Sequence, residues 1–465
     1  MSDDIRQRMF VEMERKSAFD EARDAAYSYA DRALDRNVFP TPEAIANLAR
    51  FDEPLPDAPG DALQILRQLD EYGSLATVAQ TGGRYFGLVN GGVIPATLAV
   101  RWLTDFWDQN TPLYLSSPVA SRLEEVTEAW LRDLFGLPES TIAGYVSGSS
   151  MSIFCGLAAA RHRNFARLGW DINRRGFINA PRLRVIASRQ THGTVTKAIA
   201  LLGFGIDNVE WVDADAQGSI DAQLVPELDQ STILILQAGN VNSGAFDDFA
   251  SLCQKAREAD AWVHVDGAFG LWAAASEQLK HLTRGIELAD SWSFDGHKTL
   301  NTPYDSGVIM CRDRDALVNA LHASGAYIVY SDNRDGMLHT PEMSRRARVC
   351  ELWAALKYLG RSGIDELIYG FHVRARQFAD ELEKHGFEIL NEVVFNQVLV
   401  ACDSDPVTTE TIKNVQQSGD CWIGGTQWQQ RSVMRVSICS WATTSADVTR
   451  SVNALVDARE LARNA

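Results

Sequence analysis

"SWSFDGHKTLNTPYDSG" occupies residues 291–307. Its first half has the texture of a short β-strand, and its second half is small and polar. Asp295, His297 and Lys298 stand at the junction. A lone amine at the tip of a buried-looking strand is an odd place for a lysine that is merely solvated. The following run, "SGVIMC" (306–311), reads as a strand after a short irregular link, which allows an antiparallel neighbour.

Upstream, the same texture repeats back to about residue 141. Short β-rich runs appear as "TIAGYV" (141–146), "RVIAS" (184–188), "VEWVDA" (209–214), "TILILQAG" (232–239), "AWVHVD" (261–266) and "ADSWSF" (289–294). Helix-like stretches separate them, such as "MSIFCGLAAARHRNFARLG", "GTVTKAIALLG" and "DDFASLCQKAREAD". This alternation predicts an α/β fold, with a mainly parallel sheet covered by helices on both faces. Beyond about 340, helices dominate until "FNQVLVAC" (395–402) and "SVMRVSICSW" (432–441), which predict a smaller C-terminal α+β domain. Residues 1 to about 50 are charged and helical, and "FDEPLPDAPGD" (51–61) is a Pro-rich connector. The expected organisation is a helical segment over 1–80, a large domain over 81–335 and a small domain over 336–465.

The 465 residues carry a net charge of -17, with 46% hydrophobic and 23% charged residues. Such a chain is expected to be globular, and its field repels nucleic acid and anionic membranes. Seven scattered cysteines form no C-x-x-C pair, and the N-terminus lacks the apolar core of a signal peptide. These features predict a cytoplasmic protein with free thiols. The sequence contains no G-x-x-x-x-G-K-[ST], no G-x-G-x-x-G, no G-x-S-x-G and no His/Cys spacing for a metal. Nucleotide use, a serine hydrolase and a metal site are therefore not expected.

In open α/β sheets, functional residues gather at the carboxyl ends of strands. Ser147 to Ser150 follow "GYV", Gln190 to His192 follow "RVIAS", Asn240 follows "TILILQAG", Asp266 follows "AWVHV", and His297 and Lys298 follow "SWSF". A partly desolvated lysine forms a Schiff base with an aldehyde. The aldehyde that suits this chemistry is pyridoxal 5'-phosphate (PLP), an electron sink for reactions at an amino-acid α-carbon. Such a cofactor needs a carboxylate for its ring nitrogen, which Asp266 supplies. It needs a flat group against its ring, which His192 supplies. Its phosphate needs hydroxyls and a helix N-terminus, which "VSGSSMSIFCG" supplies through Ser149 and Ser150.

Together these pieces resemble the group II PLP-dependent amino-acid decarboxylases of the aspartate aminotransferase fold type I superfamily. "HVDGA" (264–268) and "DGHKTL" (295–300) look like the family's signatures. "RYFGLVNGGVIPATLAVRWL" (84–103), "SSPVASRLEEVTEAWLRDLFGLP" (116–138) and "SRRARVCELWAALKYLG" (344–360) are similar to its other segments. The resemblance implies a large domain with a mainly parallel seven-stranded sheet. It implies decarboxylation of an L-amino acid to an amine and carbon dioxide, and a homodimer with a shared active site. Lys298 would carry the cofactor, Asp266 would pair with its ring nitrogen, and His192 would stack on the ring. Ser149 and Ser150 would help hold the phosphate, with His297 beside it or near the lysine. Asn240 falls where the family has a threonine, and "QAGNVNSGAFDD" departs from that pattern. Arg435 would meet the substrate carboxylate. "HASGAYIVYSDNRDGMLHTPE" (322–342) falls where the family carries a loop over the site, with Tyr327 as expected proton donor and Tyr330 as the second candidate. Other PLP reactions (transamination, C–C or C–S lysis, oxidation to an aldehyde) and a non-enzymatic binding role are the competing readings. Tyr85, Phe86, Trp102 and Phe106 are candidates for an aromatic pocket, although their spacing equally suits a core.

Overall fold

The computed structural model describes residues 5–323, 328 and 330–464. Seven strands form the large sheet: β1 (Ile142–Val146), β2 (Arg184–Ser188), β3 (Val209–Val212), β4 (Thr232–Gln237), β5 (Trp262–Asp266), β6 (Ser291–Asp295) and β7 (Gly307–Cys311). Their order is β1-β7-β6-β5-β4-β2-β3. Strands β2 to β6 pair in parallel, and β7 lies antiparallel to both β6 and β1. Every residue of β4, β5, β6 and β7 is buried, because helices cover both faces of the sheet. That burial explains why these runs read as near-continuous apolar or small residues rather than as alternating strands.

The helices that position the site are α1 (Ile5–Arg15), α2 (Ser17–Ala33), α3 (Pro95–Trp107), α4 (Pro118–Leu134), α5 (Ser149–Arg167), α6 (Gly193–Leu201) and α7 (Val349–Lys384). Pro95 and Pro118 begin their helices, where a missing N–H costs nothing. Helix α5 starts directly after β1 and buries a small-residue stripe, Gly156 to Ala160, that brings it close over the sheet. Helix α7 is interrupted at Gly360, whose φ of 59° and ψ of -176° lie outside the helical region.

The second sheet is antiparallel, in the order β10-β11-β9-β8. Its strands are β8 (Glu388–Ile389), β9 (Gln397–Ala401), β10 (Gly424–Trp428) and β11 (Arg431–Ser437). The sequence singled out only β9 and β11. Strand β8 is too short to show a period, and β10 is glycine-rich and half exposed. One apolar cluster runs from Trp292 and Phe294 of the large sheet, through Phe378 of α7, to Val436 of the small sheet. The two sheets thus share a core, and the space between their polar edges is fixed by packing. No helix among the described residues is long and apolar enough to cross a membrane.

Candidate functional site

Strand β1 runs parallel to β6, since both oppose β7. The carboxyl ends of β1, β2, β4, β5 and β6 therefore share one edge. Val146 and Asp295 both pair with Gly307, so the start of α5 is brought beside the lysine turn.

Lys298 lies in that turn, with 19% of its side chain accessible. Its Nζ is 3.1 Å from Oδ2 of Asp295, whose side chain is 1% accessible. His297 Nε2 lies 3.6 Å from the same oxygen. The Ser306 backbone N–H donates to His297 Nδ1 at 3.1 Å, and the Tyr304 ring stacks on the imidazole at 4.3 Å between centroids. Burial holds the His297 imidazole below its usual value, with the Asp295 charge opposing.

Asp266 closes β5 as a buried carboxylate, accepting from the Ala268 N–H at 3.2 Å. Burial pushes it above the ordinary carboxylate range, and the nearby Lys298 and His192 oppose that shift. His192 caps α6 and accepts the Thr194 N–H on Nδ1 at 3.3 Å. Its ring is open to solvent yet deep enough in the cleft for desolvation to lower its pKa. It feels the fields of Asp266, Lys298, Arg435 and Asp295, so these five groups share one cleft.

Arg435 of β11 enters from the small sheet. Its guanidinium donates to the Val241 carbonyl at 3.3 Å and lies near Tyr85, which stacks on Trp422 at 5.1 Å. Among the described residues no carboxylate lies within ion-pair distance of Arg435, although burial disfavours its charge. Asn240 is buried, and its amide is committed to the loop. It donates to the Gln190 and Gly218 carbonyls and accepts from the Asn242 and Ser243 N–H groups. Tyr327 lies outside the described residues. Tyr330 donates to the Ala323 carbonyl at 2.6 Å, and the charge acting on it is Asp335 rather than any cleft group. Of the aromatics, Tyr85 borders Arg435, Phe86 is core, and Trp102 and Phe106 are exposed on α3.

Two residues that sequence reasoning gave no role stand out. Asn301, fully buried at a φ of 58°, donates to the carbonyls of Lys298, Thr299 and Cys439. Its Oδ1 accepts the Gly92 and Trp441 N–H groups, which ties three distant chain segments around the lysine turn. Asp295 was visible as a neighbour of Lys298, but only the fold shows the contact. An asparagine in a polar turn carries no signal for such a hub.

The donor set can be tested against a cofactor. Gly148 precedes α5, and a Cβ there would stand 3.2 Å from the His297 ring. The first-turn N–H groups of a helix lack partners within it, so Gly148, Ser149 and Ser150 offer a seat for a phosphate. An amine, a buried carboxylate, a flat imidazole and an anion seat are the groups a phosphorylated pyridine aldehyde requires, and the residues fit PLP.

A family model described as the pyridoxal-dependent decarboxylase conserved domain matches residues 44–401. The chain is 28% identical to the acidic amino acid decarboxylase of Xenopus tropicalis, over 71% of this chain and 66% of that one. It is 28% identical to the cysteine sulfinic acid decarboxylase of Mus musculus, over 68% of this chain and 66% of that one. The aligned stretches thus span just under two thirds of these relatives. A crystal structure of Oryza sativa TDC with PLP and tryptamine has the same fold, with a TM-score of 0.87 at 21% identity, over 96% of this chain and 97% of that one.

Proposed function

The chain belongs to the pyridoxal-dependent decarboxylase family, and from that premise we propose that it converts an L-amino acid to its amine and carbon dioxide using PLP. The observation that carries the reading is Arg435. It is a half-buried cation without a carboxylate partner among the described residues, in the cleft that holds Lys298, Asp266 and His192.

Lys298 is the amine that would hold the cofactor's aldehyde. The Gly148–Ser150 backbone and His297 would hold the phosphate, with Ser149 and Ser150 offering hydroxyls. Asp266 would pair with the ring nitrogen, where a cation would stabilise its buried charge. His192, kept neutral by desolvation, would stack on the ring. When bound, PLP supplies the electron sink for charge released at the α-carbon. Arg435 pairs with the substrate carboxylate and orients it, and the walls of the cleft exclude water. Asn240 shapes the Gln190 and Gly218 side of the cleft through the hydrogen bonds that its side-chain amide donates to their carbonyls. Tyr327 is the proposed proton donor to the α-carbon, with Tyr330 second.

A second copy of the chain is the proposed partner, sharing the active site. Exposed Met9, Phe10 and Met13 on α1 and Leu103, Phe106 and Trp107 on α3 support this reading, since such apolar area favours burial. The described cysteines are all free and buried, which supports a reducing, cytoplasmic setting.

The test supplies the common amino acids, with dopa, ornithine, diaminobutyrate and cysteine sulfinate, to the PLP-loaded protein. Carbon dioxide and amine are expected in equal amounts from one substrate class, and neither from K298A. Keto acid, or aldehyde with peroxide, in place of the amine would overturn the reading.

A further inference from the structure

We propose that Asp295 takes a proton from the Lys298 ammonium when a phosphorylated aldehyde enters the cleft, leaving Lys298 as the neutral nucleophile. The proposal rests on the reading of Lys298 as the residue that captures PLP.

Asp295 ends β6, and neither of its carboxylate oxygens accepts an aligned hydrogen bond among the described residues. Its close polar neighbours are both on its own turn. Lys298 Nζ lies 3.1 Å from Oδ2 and His297 Nε2 lies 3.6 Å from it. Because His297 Nδ1 accepts the Ser306 N–H, the neutral ring carries its proton on Nε2, toward Asp295. Desolvation keeps that ring neutral, so the cation beside Asp295 is Lys298.

The other oxygen faces the anion seat. Oδ1 lies 3.6 Å from where a Cβ on Gly148 would stand, at the start of α5. The remaining titratable groups whose charge couples to Asp295 are Asp266 at the end of β5, His192 at the start of α6, and Tyr304. Among these, Asp266 can add only negative charge, burial keeps the Tyr304 phenol protonated, and His192 is neutral. None offers a second counter-ion.

This arrangement poses two problems that one proton solves. A charged carboxylate beside a phosphate dianion in a dry pocket is repulsive. An ammonium cannot attack an aldehyde, because its electron pair is held by the proton. In the transfer, one N–H bond at Nζ breaks and one O–H bond at Oδ2 forms. The pair passes from one positive and one negative charge to two neutral groups. Nothing is oxidised or reduced, and no proton is exchanged with solvent. In the empty cleft, the carboxylate instead holds the ammonium in place.

The experiment strips PLP from the full-length protein and re-adds it between about pH 7 and 8.5, where a phosphate ester is a dianion. Borohydride quenches the reaction at set times, and mass spectrometry of the Lys298 peptide gives the capture rate. The wild-type rate is expected to change less than about threefold across this range, because the transfer is internal. D295N is expected to be at least about tenfold slower at pH 7 and to rise about tenfold per pH unit, because its ammonium must lose a proton to bulk water. H297Q keeps Asp295 and is expected to keep the flat profile.

A D295N profile parallel to wild type, even if lower throughout, would show a purely structural role and overturn the proposal. A slope created by H297Q alone would make His297 the acceptor and overturn it as well. If D295N does not fold by circular dichroism, the wild-type profile decides: a tenfold climb per pH unit refutes an internal acceptor, and a flat profile supports it. Failure of wild type to label at Lys298 at any pH overturns the Lys298 reading itself, and this proposal with it.

Discussion

His264 stands two residues before Asp266 on β5, fully buried, with Nδ1 2.8 Å from the Ser291 hydroxyl. Burial pushes its imidazole down to about 3, against about 6.5 for an exposed histidine. The folded protein therefore keeps it neutral, whereas the unfolded chain takes up a proton in acid. Its contribution is fully present above about pH 6.5 and declines as pH falls toward about 3, by up to roughly 1.4 kcal/mol per pH unit. H264N, which retains a hydrogen-bonding side chain, is expected to cost about 1–3 kcal/mol at pH 7.5. The gap between variant and wild type should narrow at pH 5, because wild type alone loses this contribution. Urea unfolding of both proteins at the two pH values checks it, and an unchanged gap would mean that His264 is not held neutral by the fold. At this scale the placement of Lys298, Asp266 and His192 beside the carboxyl ends of strands was legible from the sequence, because short β-rich runs ending in polar residues mark that edge. Asp295 and Asn301 were not, since their roles consist of contacts made by chain folding.

Two connecting segments set the lysine turn. The loop over 87–92 passes so close to it that a Cβ on Gly91 would stand 2.1 Å from the Lys298 carbonyl oxygen and 2.6 Å from that of His297. Both obstacles are backbone, so neither can rotate away. Leu88 and Val89 in the same loop adopt φ of 54° and 59°, a left-handed strain that persists where surroundings over-determine the backbone. Asn301 then clamps the turn to Gly92 and to Trp441. G91A is expected to destabilise the protein by about 1–3 kcal/mol, as overpacking does, and to lower the yield of PLP fixed to Lys298 by borohydride. Denaturant unfolding and peptide mass spectrometry report the two effects separately. Wild-type values for both would show that the loop does not press on the turn. Nothing in "GLVNGG" names the segment that it touches.

At the scale of the whole molecule, α2 packs on α3 through aromatic pairs, Phe19 with Phe106 and Tyr27 with Trp102. Helix α1 buries none of its residues in the single chain. An obligate dimer interface of about 2,000 Å² or more would remove this apolar surface from water. L103E combined with F106E is expected to shift the protein from dimer to monomer in sedimentation velocity. The same change should lower decarboxylation while leaving the secondary structure intact. A wild type that sediments as a monomer at micromolar concentration would end the dimer reading.

The alternation of short β-rich runs with helical stretches determined the α/β class and the edge where function gathers. It did so because a parallel sheet requires a covering crossover between strands, and that rhythm is written locally. Lys298 and its neighbours stated the class of chemistry by residue type alone. Only the tertiary structure decided that β7 runs against both β6 and β1, which sets Gly148 beside Asp295 and His297. It alone brought Arg435 from the small sheet into the cleft, and it alone made Asn301 the tie between residues 92, 298 and 441. The reason is physical: apart from the β6–β7 pairing and the Asn301–Lys298 bond, these contacts join segments more than a hundred residues apart, and their geometry comes from a core shared between two sheets, which no local pattern encodes.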